Sequence, residues 1–157
     1  MSSATPANAR PELVDPRGPR FAAAITAVLL AAALILGPAS GLPVLIVQAL
    51  AFAAGSLLGL RRQPWGWIFR VAVRPRLAPP AELEDARPPR FAQTVGLVFA
   101  LAGLLGAAAN LPVLFYVATG FALVAALLNA VFDYCLGCEV YLIGRRLLGG
   151  RVVGAAS

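Results

Sequence analysis

The sequence contains no histidine and no lysine. Without histidine there is no imidazole metal site, no Ser-His-Asp triad and no imidazole proton shuttle. Without lysine there is no Schiff-base nucleophile and no P-loop. All 13 basic residues are arginine. With the abundance of Ala, Gly and Pro, this reads most simply as the codon composition of a GC-rich, bacterial genome. Charge is scarce too: charged residues make up 13% of the 157 positions and hydrophobic residues 60%. A soluble domain carries about 25% and 45–50% respectively. So few charges cannot cover a water-facing shell, and with a mean hydropathy of +0.81 the chain reads as an integral membrane protein. Only two cysteines are present, which excludes a disulfide framework.

Four stretches carry no Asp, Glu or Arg: 21–37, 43–60, 91–109 and 112–131. Each approaches the roughly 17–25 helical residues needed to cross a bilayer core. In lipid the backbone must satisfy its own hydrogen bonds, so helices are expected. Residues 1–14 are polar and Pro- and Ala-rich, the composition of a disordered tail. The first apolar stretch superficially resembles a signal peptide, but its polar lead is long and the pattern recurs in mid-chain.

That recurrence organises the chain. Asp15-Pro16-Arg17-Gly18-Pro19-Arg20-Phe21-Ala22 matches Asp85-Ala86-Arg87-Pro88-Pro89-Arg90-Phe91-Ala92 at an offset of 70. Leu42-Pro43-Val44-Leu45 matches Leu111-Pro112-Val113-Leu114 at an offset of 69. Each unit is a charged Arg-Pro lead, a helix, a tight turn and a second helix. Asp15 and Asp85 are placed to pair with the arginines beside them. An even number of spans per unit makes the units parallel, related by a pseudo-two-fold axis along the membrane normal. The expected fold is therefore an all-α membrane protein. It has four transmembrane helices as two tandem hairpin repeats, 15–60 and 85–131, joined by a cytoplasmic and interfacial linker, 61–84, and followed by a C-terminal segment, 132–157.

Every arginine lies in the N-terminal segment, in the central loop from Arg61 to Arg90 or in the C-terminal segment, and the short loops 38–42 and 110–111 carry no charge. The positive-inside rule then places both termini in the cytoplasm, with the chain in the cell (inner or plasma) membrane. The arginines face anionic lipid headgroups, each gaining about 1 kcal/mol near the surface. A nucleic-acid partner need not be invoked. Arg20 and Arg90 are expected at equivalent interfacial positions, and Trp65 and Trp67, in a helical segment near 64–74, as aromatic-belt anchors.

No ionisable group lies inside the apolar stretches, which argues against a pump or a coupled transporter. The small and polar residues there are read as helix-packing positions. A conventional membrane enzyme lacks an acid/base constellation, and no cofactor is implied. One chemical motif stands out beyond the fourth stretch: Cys135-Leu136-Gly137-Cys138, flanked by Asp133 and Glu139. A C-x-x-C pair serves as a dithiol redox site, as half of a zinc site, or as two incidental thiols. Two cysteines cannot complete a zinc site in one chain, although two protomers of a homo-oligomer could supply four. If the fourth helix continues, both sulfurs fall on one face near Glu139, Leu142, Arg145 and Arg146. At that helix C-terminus, beside two acids, the thiols gain no activation from the dipole. A cytoplasmic pair would be a reversible dithiol, with little bulk at Leu136 and Gly137 to shield it and with Tyr134 and Tyr141 holding it at the interface.

The segment 14–21, the Glu84-Asp85-x-Arg87-Pro88-Pro89-Arg90-Phe91 motif and Cys135-Leu136-Gly137-Cys138-x-x-Tyr141 together resemble the bacterial membrane family called domain of unknown function 4395, over roughly residues 14–148. The resemblance implies a small multi-spanning membrane protein without an assigned activity. Similar members are often encoded near thioredoxin-like and sulfurtransferase proteins, which points to sulfur or redox handling with a soluble partner. The alternative is a structural or small-molecule-permeation bundle in which the Cys pair is incidental.

Overall fold

The computed structural model describes residues 12–156, so the tail expected over 1–14 lies outside the described residues except for its last three. In chain order the elements are β1 (Leu13–Val14), α1 (Arg17–Ser40), α2 (Leu42–Ala53), α3 (Pro64–Ile68), β2 (Glu84–Asp85), α4 (Arg87–Ala108), α5 (Pro112–Phe132) and α6 (Leu136–Ala156). A π-helical turn, Ala54–Leu58, prolongs α2. A further π turn, Phe69–Val73, and a 3₁₀ turn, Arg74–Arg76, prolong α3.

Three helices, α1, α4 and α5, are long and apolar enough to cross a membrane, at 24, 22 and 21 residues. The second apolar stretch is helical only from Leu42 to Leu58 and is shorter than these. Gly59, with φ of 97°, ends it in a conformation that side chains with a Cβ avoid. The outward faces of the long helices are apolar: Val28, Ile35, Val98, Leu105, Val113 and Phe121 are all exposed. A water-soluble protein would not carry so continuous a patch, and a lipid-embedded one requires it.

Helix starts differ from the sequence reading. The stiff Arg-Pro leads were expected to precede the helices, yet α1 begins at Arg17 and α4 at Arg87. The prolines fall in the first turn, where backbone N–H groups have no intrahelical partner and a missing one costs little. The leads also meet each other. β1 and β2 pair antiparallel, Leu13 opposite Asp85 and Val14 opposite Glu84.

Inside, Leu30 and Ala33 of α1, Leu45, Ala49 and Phe52 of α2, Ala100 of α4, and Phe115 and Ala122 of α5 form the core. Small residues set how closely the helices approach. A Cβ at Gly103 would stand 2.7 Å from the Thr119 hydroxyl, and one at Gly96 would stand 2.6 Å from the Phe52 ring. This close packing substitutes for a hydrophobic drive that lipid does not supply.

Candidate functional site

The C-x-x-C motif does not continue the preceding helix. α5 stops at Phe132, and Asp133 takes a left-handed conformation, φ 54° and ψ 30°. The Tyr134 N–H then returns to the Leu128 carbonyl at 3.1 Å, closing the last turn as a Schellman-type cap does. A new helix starts at once. The Glu139 N–H donates to the Cys135 carbonyl at 3.0 Å, and the Cys138 N–H donates to Cys135 Sγ at 3.3 Å. Cys135 is thus the N-cap of α6, with its sulfur in the place usually taken by a Ser or Asp oxygen.

This overturns the expectation that the pair lies at a helix C-terminus. The chain breaks at Asp133, so the dipole acting on the pair is the positive N-terminal end of α6. Cys135 and Cys138 are joined as a disulfide, with Cα atoms 5.1 Å apart, and both residues are half-buried. Asp133 is exposed and Glu139 half-buried beside them. Among the described residues no three Cys, Asp or Glu side chains gather as a metal site would need.

Two contacts hold α6 against α4. The Tyr141 ring packs on Phe91 with centroids 5.6 Å apart, and within α6 Arg145 lies 6.0 Å from the Tyr141 ring centre. Gly137 meets Ala92 so closely that a Cβ there would stand 2.6 Å from the Ala92 Cα. Its small size therefore serves helix packing, where the sequence reading assigned it to leaving the sulfurs approachable.

The remaining candidates fall into pairs. Asp15 accepts from the Arg17 backbone N–H at 3.0 Å and from its guanidinium at 2.8 Å. Asp85 accepts from Arg87 in the same way, at 2.9 and 2.6 Å. The Arg17 hydrogen bonds hold the Asp15 carboxyl below its ordinary pKa, and those from Arg87 do the same for Asp85. Arg20 and Arg90 are used crosswise. Arg20 Nε donates to the Ala130 carbonyl at 3.0 Å, at the end of α5. Arg90 Nε donates to the Ser56 carbonyl at 2.8 Å, in the turn that prolongs α2. Each places a cation on carbonyls left free at a helix C-terminus.

The two tryptophans part company. Trp67 is exposed, whereas Trp65 Nε1 donates to Gln48 Oε1 at 3.2 Å, reaching a fully buried side chain of α2. Sequence reasoning missed Gln63, which is 2% exposed and caps α3 by accepting from the Gly66 N–H at 2.7 Å. The available signal was a polar residue directly before Pro64, the pattern of a cap followed by proline at the first helical position. Gln63 and Gly66 stand at the start of α3 as Cys135 and Cys138 stand at the start of α6. The parallel extends to the rings, because Phe21 packs on Phe69 at 5.7 Å and Phe91 on Tyr141.

No curated protein and no solved structure matches the chain. Residues 14–146 match the model of the family described as domain of unknown function DUF4395, and they span both Arg-Pro leads, the crossed arginines and the Cys135–Cys138 pair at the start of α6: the chain belongs to that family.

Proposed function

We propose that this is a four-span membrane protein of two tandem hairpins, with its arginine-rich ends in the cytoplasm of a bacterial cell, and that it exchanges disulfides with a soluble thioredoxin-like or sulfurtransferase-type partner. The observation that carries the chemical part is the closed Cys135–Cys138 pair, half-exposed in the first turn of α6. The membrane part draws support from the apolar outer faces and from the confinement of every arginine to the leads, the linker and the C-terminal segment. The crossed use of Arg20 and Arg90 and the pairing of β1 with β2 favour two equivalent repeats. In this arrangement Trp67 and the unpaired arginines lie at the anionic headgroups.

In the reaction, a partner thiolate attacks one sulfur of the Cys135–Cys138 disulfide and forms a mixed disulfide, releasing the other sulfur as thiolate. The partner's second thiol then displaces the bound cysteine. The partner's dithiol is oxidised to a disulfide, the Cys135–Cys138 disulfide is reduced, and two protons pass with the two electrons. The positive end of α6 stabilises the thiolate leaving group.

Thiol trapping in native membranes, read by mass spectrometry, tests the proposal. The pair should shift between dithiol and disulfide as the redox poise changes, and a soluble protein should be trapped on a Cys135→Ser or Cys138→Ser variant through the remaining thiol. A pair that stays in one state under every condition and traps nothing would favour the alternative, a structural or permeation bundle with incidental thiols. That alternative has its own observation: Gln48 and Thr119 are fully buried in the helical core, and each holds a polar atom without a partner.

A further inference from the structure

A cavity of about 280 Å³ lies between β1, the start of α1 and α3. Its chemistry is uneven. Leu13, Leu60 and Phe69 give it an apolar wall, and Arg61, Arg70 and Arg74 stand at its edge. One carboxylate, Asp15, lines the cavity and is engaged by Arg17, with Arg74 close enough to add to its stabilisation; Glu12 is engaged by Arg61 at 3.1 Å. Arg70 donates to the Arg61 carbonyl. Among the described residues neither Arg70 nor Arg74 has a carboxylate partner, so the cavity edge carries uncompensated positive charge.

The deciding group is Gln63, which lines the cavity and is 2% exposed. Its Oε1 is committed to the Gly66 N–H, which fixes the amide's orientation and makes Nε2 the free donor. That Nε2 is buried and has no hydrogen-bond partner, and Gln93, which lines the same cavity, holds a second buried amide atom without one. A buried donor left unmade is costly, and such a group calls for a ligand or water to complete it.

We propose that this cavity binds a phosphate group, with Arg70, Arg74 and Gln63 Nε2 donating to its oxygens and the apolar wall receiving the attached chain. Phosphate offers several acceptor oxygens to converging donors, and guanidinium groups match it in geometry and charge. The group could belong to a lipid headgroup or to a soluble phosphate. This site does not depend on the dithiol reading, since Gln63, Arg70 and Arg74 belong to the linker and none of its lining residues belongs to α6.

The test uses the full chain in detergent micelles, with native mass spectrometry reading retention of dioleoylphosphatidylglycerol and inorganic phosphate as competitor. Arg70→Gln and Arg74→Gln should each weaken lipid retention by about tenfold, the worth of one charge-assisted hydrogen bond. Gln63→Glu keeps the oxygen that caps Gly66 but replaces the free N–H with a negative oxygen, and should weaken retention at least as much. Arg62→Gln, at a neighbouring exposed arginine outside the cavity lining, should leave it unchanged. Displacement of the lipid by millimolar inorganic phosphate would assign the site to a soluble phosphate, and its failure to displace would assign it to a lipid headgroup. Equal losses in all variants including Arg62→Gln, unchanged retention in all, or no binding of either probe would overturn the proposal. If Gln63→Glu loses helicity by circular dichroism, the two arginine variants against Arg62→Gln decide it.

Discussion

Val14 lies directly opposite Glu84 in the antiparallel pair of β1 and β2. These two positions are separated by the same offset of 70 that relates the Arg-Pro leads. A residue paired with its own repeat equivalent sits on a local two-fold axis. The same axis would exchange Arg20 for Arg90 and carry each lead onto the second helix of the opposite repeat, which is where both arginines bind. In the proposed fold, then, the leads act as reciprocal clasps between hairpins, beyond setting the depth of their own helices.

If the clasps are equivalent, Arg20→Gln and Arg90→Gln should destabilise by similar amounts. Each removes a cation from exposed C-terminal carbonyls, worth about 0.5–1 kcal/mol. Thermal unfolding in detergent should show comparable shifts, and the double variant should show their sum, since the two sites share no partner. A loss confined to one arginine would count against two equivalent repeats.

Acid should loosen the same region. Asp15 and Asp85 are held below the ordinary carboxylate pKa by their arginine partners. A carboxyl with a depressed folded pKa contributes stability that is present above its unfolded pKa, about 3.9, and lost as pH falls through the lower folded value. Thermal stability should therefore be flat from neutrality to about pH 5 and fall below about pH 4. Asp85→Asn should lower the neutral plateau and make the acid fall shallower. An unchanged acid limb in an Asp15→Asn/Asp85→Asn double variant would show that these pairs do not drive it.

Much of this was legible because lipid imposes strong rules. Three of the four apolar stretches became long helices, and Asp15 and Asp85 found the arginines beside them. The errors came where two local signals competed. The Arg-Pro leads with Pro19, Pro88 and Pro89 read as segments that precede the helices, although the first helical turn tolerates proline and holds all three. At Asp133 the helical period appeared to run on. A single left-handed residue stopped α5 there and let α6 start anew, a change that hydropathy does not register and that reverses the dipole acting on Cys135. Gln63 escaped notice for a related reason, because its role comes from burial beside Gly55 and from a cap, neither of which its type announces.

Gly137 offers a direct probe of how α6 is held. Its Cα passes so near Ala92 that Gly137→Val must push the helices apart, and overpacking of this kind costs about 1–3 kcal/mol. The displaced helix would also lose the Tyr141–Phe91 contact. The expected result is a lower unfolding temperature together with faster alkylation of reduced Cys135 and Cys138. Unchanged alkylation alongside normal stability would show that α6 does not depend on this contact.

The orientation proposed for the membrane can be settled by labelling. In a Cys135→Ser/Cys138→Ser background, single cysteines at Ser40, Asn110 and Pro80 probe the α1–α2 turn, the α4–α5 turn and the linker. The turns carry no charge, whereas the linker holds five of the 13 arginines. The positive-inside bias therefore places positions 40 and 110 outside and position 80 inside. An impermeant maleimide applied to intact cells should modify the first two and reach the third only after lysis. The two turn positions are the informative pair. If α2, the shorter helix, fails to cross, the first hairpin loses its even number of spans, and positions 40 and 110 fall on opposite sides. Labelling of both from outside would support two parallel hairpins, and labelling of only one would replace them with a three-span chain whose repeats differ in topology.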